Sequence, residues 1–405
     1  MTDALREFDR MWAELEPIGR DARTGGYHRF AWTREDHTLR EWFAGECARL
    51  GLDLTQDRMG NQWAWWGDPD AAPGIVTGSH LDSVPDGGAY DGPLGVVSAL
   101  AAVDALQQKG FQSTRPIGVV NFGDEEGARF GVACAGSRVI TGALSAERAL
   151  GLSDADGVTM AEALSAAGRS TSIGPDPQTL ARIDAFVELH VEQGRAMADP
   201  QQYDQSTSAV AVATDIWPHG RWRAELPGVA NHAGTTRLED RDDALLKATE
   251  VITAARLRAA QYGCVATVGR MSLQPNGINA VPAHVTAYLD ARGPDADAVQ
   301  RTIADLAALV RDLGGEWHED SWTPSTPFDD ELSARVRRTL GESTPALGTG
   351  AGHDAGILAN AGVRTAMLFV RNPTGVSHAP SEFAEPVDCH AGVEALITVL
   401  EDLAS

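Results

Sequence analysis

From residue 72 to about residue 200 the chain alternates short apolar runs with helical stretches, and each apolar run ends in or runs into histidine or acidic residues. Such alternation is the grammar of an α/β domain with a largely parallel sheet. It predicts strands at Ile75 to Thr77, Pro116 to Phe122 and Asp184 to Val191. Between the first two, "PLGVVSALAAVDALQQKG" predicts a helix closed by Gly110. In α/β sheets ligand-handling residues gather just past the carboxyl ends of the strands. The histidines and acids at those positions are therefore the first candidates for a site.

Around residues 208 to 323 the pattern changes to strand, strand, helix, strand, strand, helix, with "RWRAEL", "CVATVGRM" and "AHVTAYLDAR" as the clearest strands. Val299, Ile303, Leu306, Val310 and Leu313 fall on one helical face, the stripe of a helix covering a sheet. After "TPSTPFDDE" the α/β pattern resumes with a helix near 329 to 341, a glycine-rich loop, the strand "TAMLFV" and a closing helix from about His390. At 405 residues the chain is too long for one ordinary core. The expected organisation is a two-part α/β domain at 1–207 and 324–405, with an α+β unit inserted at 208–323. Its two sheets would be a mixed, mostly parallel one flanked by helices and a four-stranded antiparallel one with two helices.

Thirty-three lysines and arginines against 57 acidic residues leave a net charge of −24, which argues against a nucleic-acid or anionic-membrane surface. An anionic substrate must then be held by a few placed cations. Cys47, Cys134, Cys264 and Cys389 are scattered, with no metal-finger or redox spacing, and fit a reduced, cytoplasmic setting. The N-terminal "MTDALREFDRMWAEL" carries charges through an amphipathic helix and lacks the apolar stretch of a signal peptide. No run approaches the roughly 18 apolar residues of a membrane span.

Four segments concentrate chemistry. In "GSHLDSVPDGGAYDG", His80 begins a His-x-Asp pattern and Asp91 follows a flexible glycine stretch; an ordinary turn is the competing explanation. Asp82 is placed to bond the ring nitrogen of His80 that would not bind metal. In "NFGDEEGARFG", the adjacent Glu125 and Glu126 are costly like charges unless a cation or a shared proton offsets them. In "VELHVEQG", His190 shares a strand face with Glu188 and could equally be a satisfied core histidine. In "PTGVSHAPSE", His378 sits on a loop past the strand ending at Val370. His28, His37, His284, His318 and His390 have ordinary surroundings. Three imidazoles with carboxylates are a donor set that zinc, manganese or cobalt accepts. A bridging aspartate would set two ions roughly 3.5 to 4 Å apart, leaving Glu125 free as a base.

These segments, with "ANHAGTT", "NGINAVP" and "GAGHDA", resemble in order and over nearly the whole chain the binuclear-metal amidohydrolases of the aminoacylase and carboxypeptidase G type. The narrower likeness is to the branch of N-carbamoyl-L-amino-acid hydrolases and allantoate amidohydrolase. The resemblance implies two divalent ions per subunit, zinc first with manganese, cobalt or nickel as alternatives. It implies ligands His80, Asp91, Glu126, His190 and His378, with Asp91 bridging, Glu125 as general base and Asp82 as orienting acid. It also implies that the inserted unit is a lid and dimerisation domain whose His232 stabilises the oxyanion across a homodimer interface. Gln193, Asn279, Arg292, His353 and His219 would touch a small anionic amide or ureido substrate. Pro218 to Arg221, Arg237 with Leu238, and "VRNPTGVSHAP" depart from the commoner pattern and bear on specificity. The expected activity is hydrolysis of a non-peptide C–N bond. An N-formyl or N-acyl amino-acid hydrolase or a dipeptidase with the same site, and a non-catalytic metal-stabilised binding protein, are the alternatives.

Overall fold

Leu5, Phe8, Met11 and Leu15 line the buried face of the first helix, Asp3–Leu15, at the spacing of an amphipathic surface helix. The computed structural model describes residues 2–201 and 209–405. Two strands precede the predicted start of the sheet: β1 (Asp53–Gln56) and β2 (Gln62–Trp66), paired antiparallel. Their "QWAWW" run is short and lacks period-two alternation, so periodicity gave no signal. β3 (Gly74–His80), β4 (Ile117–Phe122) and β5 (Ile183–Val191) follow. Buried on both faces, β3 and β4 read as continuous apolar runs, as strands of a helix-covered parallel sheet do. β3 runs three residues beyond the expected Thr77, so His80 belongs to a strand rather than to a turn. β6 is Val210–Ile216.

The next strands are β7 (His219–Pro227), β8 (Asn231–His232), β9 (Val265–Gln274), β10 (Ala280–Val281), β11 (His284–Arg292) and β12 (Glu316–Thr323). β12, β7, β11 and β9 form a four-stranded antiparallel sheet in that order, and β10 pairs with β8. The helices Ala244–Tyr262 and Ala296–Asp312 cover the four-stranded sheet. Val299, Ile303, Leu306 and Val310 are buried as their stripe predicts, and Leu313 packs at the margin.

β13 (Thr326–Pro327), β14 (Ala346–Thr349) and β15 (Arg364–Val370) return to the first sheet. Its order is β1-β2-β4-β3-β5-β15-β6-β13, with β14 on β6, nine strands among the described residues. The centre, β4-β3-β5-β15, is parallel, whereas β2 and β6 add antiparallel. The helices Pro93–Gln108 and Pro386–Leu403 pack on each other and on this sheet. Pro386, whose missing N–H costs nothing in a first turn, starts the closing helix four residues before the expected His390. The chain divides into a unit of Met1–Thr214 with Pro327–Ser405 and a unit of Asp215–Thr326. The expected boundary at 207/208 lies outside the described residues; β6, just after it, pairs with β15 in the large sheet. No described helix is long and apolar enough to cross a membrane.

Candidate metal centre

His80 closes β3 level with Phe122, the last residue of β4, and His190 of β5 lies beside Phe369 of β15. Both imidazoles thus emerge at the carboxyl end of the parallel strands. Asp91 lies in the loop leading to the helix Pro93–Gln108, Glu125 and Glu126 follow β4, and His378 lies on the loop after β15. Gly92 has φ +86°, and a Cβ there would fall 2.4 to 2.7 Å from ring atoms of His80. Glycine therefore lets the Asp91 backbone lie directly against the imidazole.

The five expected ligands converge as two overlapping groups. The ligand atoms of His80, Asp91 and His190 all lie within 4.8 Å of one another, as do those of Asp91, Glu126 and His378. Asp91 belongs to both. Its Oδ1 is 3.2 Å from His190 Nε2 and 3.5 Å from His80 Nε2, and its Oδ2 is 3.3 Å from His378 Nε2.

Second contacts fix how the rings present themselves. His80 Nδ1 lies 3.1 Å from the backbone carbonyl of Asp82, and His190 Nδ1 lies 2.9 Å from that of Val191. A carbonyl only accepts, so each Nδ1 carries a proton, and Nε2 is the nitrogen left to face a cation. Without one, the surrounding carboxylates outweigh burial and raise both imidazoles above the ordinary histidine value, so a metal ion displaces a proton there. Both Nε2 atoms are buried and make no hydrogen bond. A buried polar atom left unsatisfied costs about 1–3 kcal/mol, and a cation in front of Nε2 would satisfy it through the ring lone pair. The residues present therefore fit divalent metal, in two groups that share Asp91. The Asp82 carboxylate is 3.4 Å from His80 Nδ1, and it also accepts the backbone N–H groups of Glu125 at 3.2 Å and Glu126 at 3.0 Å. Its orienting contact to His80 comes through its carbonyl as well as its carboxylate.

The electrostatics point the same way. Burial, offset by His80 and reinforced by Asp354 and Glu126, holds the Glu125 carboxyl well above its ordinary value. Burial and then the Asp91 charge push Glu126 up to about 7. Burial would also raise Asp91, but His190, His378 and His80 outweigh it and hold that carboxylate well below the usual range. Asp91 bonding chiefly pushes His378 up to about 9. So many buried carboxyls in one place are stabilised only by protons or by cations.

Gln193 donates from Nε2 to Asp91 Oδ2 at 2.8 Å, and its Oε1 is buried without a partner. His353 packs edge-on to His190 with ring centroids 4.5 Å apart, and neither of its nitrogens has a partner. Burial holds it well below the ordinary histidine value, so it is neutral. Glu188 forms a third group with His190 and His353, but its oxygens already accept from Ser79 Oγ at 2.7 Å and Ala355 N at 3.2 Å. The sequence pattern gives no role to Cys134, whose thiol donates to Glu125 Oε1 at 3.3 Å, or to Glu382, four residues beyond His378.

The remaining candidates lie in the Asp215–Thr326 unit as two separate pairs. His219 and Arg292 face each other across β7 and β11. His232 pairs with Ala280, and the carbonyl of Asn279 accepts from Ala233 N at 2.9 Å. His219–Arg292 is the last pair at one end of the β7–β11 ladder, and Pro227–His284, about 27 Å away at ~3.4 Å per residue, closes the other end, from which the chain leads on to β8 and β10. Asn279 and Arg292 thus belong to different ends of the chain path through β11. The Arg292 guanidinium is forked onto Asp290, with bonds of 2.7 and 2.6 Å. His232 is exposed, and its Nδ1 accepts from Gly234 N at 3.0 Å and Thr235 N at 3.2 Å. That leaves the ring proton on Nε2, pointing a donor away from the turn.

A parallel sheet bearing three imidazoles and three carboxylates at its strand ends, with an α+β unit inserted in its sequence, defines a class of hydrolases. The chain belongs to peptidase family M20/M25/M40, whose model matches residues 76–402. It is 34% identical to the N-carbamoyl-L-amino acid amidohydrolase of Geobacillus stearothermophilus over 98% of each chain. It is 31% identical to the allantoate amidohydrolase of Bacillus subtilis, covering 94% of this chain and 93% of that one. A hydantoinase/carbamoylase family amidase from Burkholderia multivorans superposes with a TM-score of 0.83 at 31% identity, covering 99% and 98% of the two chains.

Proposed function

We propose that this chain is a binuclear-metal amidohydrolase that cleaves a non-peptide C–N bond in a small ureido or carbamoyl acid, of the N-carbamoyl-L-amino acid or allantoate type. The observation that carries the reading is the pair of ligand groups sharing Asp91, with Glu125 beside them and uncommitted to either. His80, Asp91 and His190 would hold one cation, and Asp91, Glu126 and His378 the other. When bound, such a pair polarises a carbonyl and brings water toward neutral acidity. Zinc suits the imidazole-rich donor set, and manganese, cobalt and nickel fit it too.

Glu125 takes the proton of the attacking water and delivers it to the leaving nitrogen, a transfer worth about 10²–10⁴-fold. Its burial keeps the carboxyl a competent acid once protonated. His232 donates from Nε2–H to the oxygen that gains charge, and its fixed tautomer needs no rearrangement to do so. Arg292 and Asn279 bind the substrate carboxylate; Gln193 and His353 line the reacting end, with His219 beside Arg292.

Arg292 closes one end of the β7–β11 ladder while His232 follows its other end in the chain, which favours a site to which two copies contribute. The lid sheet supports that arrangement. Its β12 edge carries Glu316, His318, Glu319 and Asp320, while the β9 edge, "VATVGRMSLQ", carries Arg270 alone among charged residues. Exposed Leu246, Leu257, Val265 and Met271 lie on β9 and the helix preceding it. We therefore assign a homodimer formed through β9. All four cysteines are unpaired, which supports a reducing, cytoplasmic setting.

Metal-loaded protein should release ammonia from N-carbamoyl-L-amino acids or allantoate, and far less product from N-formyl, N-acetyl and dipeptide substrates assayed beside them. Efficient cleavage of dipeptides with no turnover of any ureido acid would overturn the proposal.

A further inference from the structure

Glu382 is a buried carboxylate that none of the chemistry above uses. It is 5% exposed, and its Oε1 accepts the successive backbone N–H groups of Tyr90 and Asp91, each at 2.9 Å. Its Oε2 is buried and makes no hydrogen bond. The loop folds so tightly over this carboxylate that a Cβ on Gly88 would lie 2.3 Å from Glu382 Cβ and 2.6 Å from Oε2. Asp82 does the same elsewhere, gripping the successive N–H groups of Glu125 and Glu126. Each carboxylate fixes the backbone of a loop that delivers a ligand. Glu382 also lies four residues beyond His378, on the same loop after β15.

Resting on the binuclear reading above, we infer that Glu382 is a positioning residue that ties the bridging Asp91 to the loop carrying His378, and so sets affinity for the cation held by Asp91, Glu126 and His378. Charge-assisted acceptance from two amides is strong, and supporting contacts of this kind change metal affinity by about 10- to 100-fold. The other cation keeps two imidazoles whose rings are fixed by Asp82 and Val191, so the loss falls unequally.

The test measures zinc bound per chain against free zinc for wild type, Glu382→Ala, Glu382→Gln and Gly88→Ala, with amide hydrogen exchange of the 88–92 segment in metal-free protein. Glu382→Ala is expected to weaken one of two zinc sites about 10- to 100-fold, leave the other within a few-fold, and speed exchange at Tyr90 and Asp91. Glu382→Gln keeps the accepting oxygen and should restore most of that affinity. Gly88→Ala should reproduce the loss by pushing the carboxylate away without removing it, which covers a Glu382→Ala chain that fails to fold. Wild type holding two zinc ions while Glu382→Ala and Gly88→Ala hold both with unchanged affinity would overturn the inference. Wild type holding fewer than two would instead overturn the binuclear reading.

Discussion

The ligand cluster and the candidate substrate residues of the inserted unit are built on opposite plans. His80, Asp91 and His190 are at most 6% exposed, and backbone carbonyls fix both imidazoles. His232 and Asn279 are exposed, and Arg292 is forked onto an acid of its own sheet. The group of His80, Asp91 and His190 is preorganised, so its chemistry is set before substrate arrives, whereas His378 of the second group is exposed. The second region draws on residues near both ends of the β7–β11 ladder, and on the proposed reading it is completed by a second copy and by substrate.

The largest test of that contrast is Glu125→Gln. It should keep both metals and lower kcat by about 10³-fold or more, read by steady-state assay beside metal analysis. Retained turnover would remove the base from the preorganised half. The metals themselves should show strong pH dependence. In metal-free protein Glu126 stands at about 7 and His378 at about 9, so below about pH 7 both hold protons that a cation must displace. Apparent affinity for the second cation should therefore rise with pH, about 100-fold per unit below ~7 and about tenfold per unit from there to ~9. Calorimetry in buffers of different ionisation enthalpy would detect the released protons; a pH-independent affinity would contradict the placement of these two groups together.

On the other side, His232→Ala should lower kcat about 10²- to 10³-fold with metal content unchanged. Mixing that variant with Glu125→Gln chains, then allowing exchange, should regain turnover, since one site of a mixed dimer then holds an intact Glu125 and an intact His232. No regain would place His232 in its own chain's site. Met271→Glu on β9 should shift sedimentation from dimer to monomer and lower activity with it. The smallest effect is expected from Asp290→Asn, which weakens the fork between Arg292 and Asp290 and should lower KM a few-fold with kcat little changed.

The sequence announced the preorganised half better than the other. Apolar strands ending in His80, Glu126 and His190 carry their own punctuation, because a polar residue at the mouth of a buried strand has no packing reason to be there. Asp91 and His378 sit in turn-rich loops whose composition explains a loop but not its destination, so the residue pattern offered them as candidates and the likeness to relatives gave each its role. Glu382 was invisible because its partners are backbone amides, which leave no mark in a residue pattern. β1 and β2 were missed for want of alternation, and β6 lies at the edge of the residues that bound the insertion. Arg292 fell within its expected strand, whereas His232, placed by the likeness alone, lies on the two-residue β8, a pairing that no residue pattern announces.

Anomalous diffraction from zinc-loaded crystals tests the central claim most directly. Two peaks about 3.5–4 Å apart with Asp91 between them, one flanked by His80 and His190 and the other by Glu126 and His378, are the predicted result. Peaks away from Asp91, or full turnover by protein stripped of metal, would contradict it.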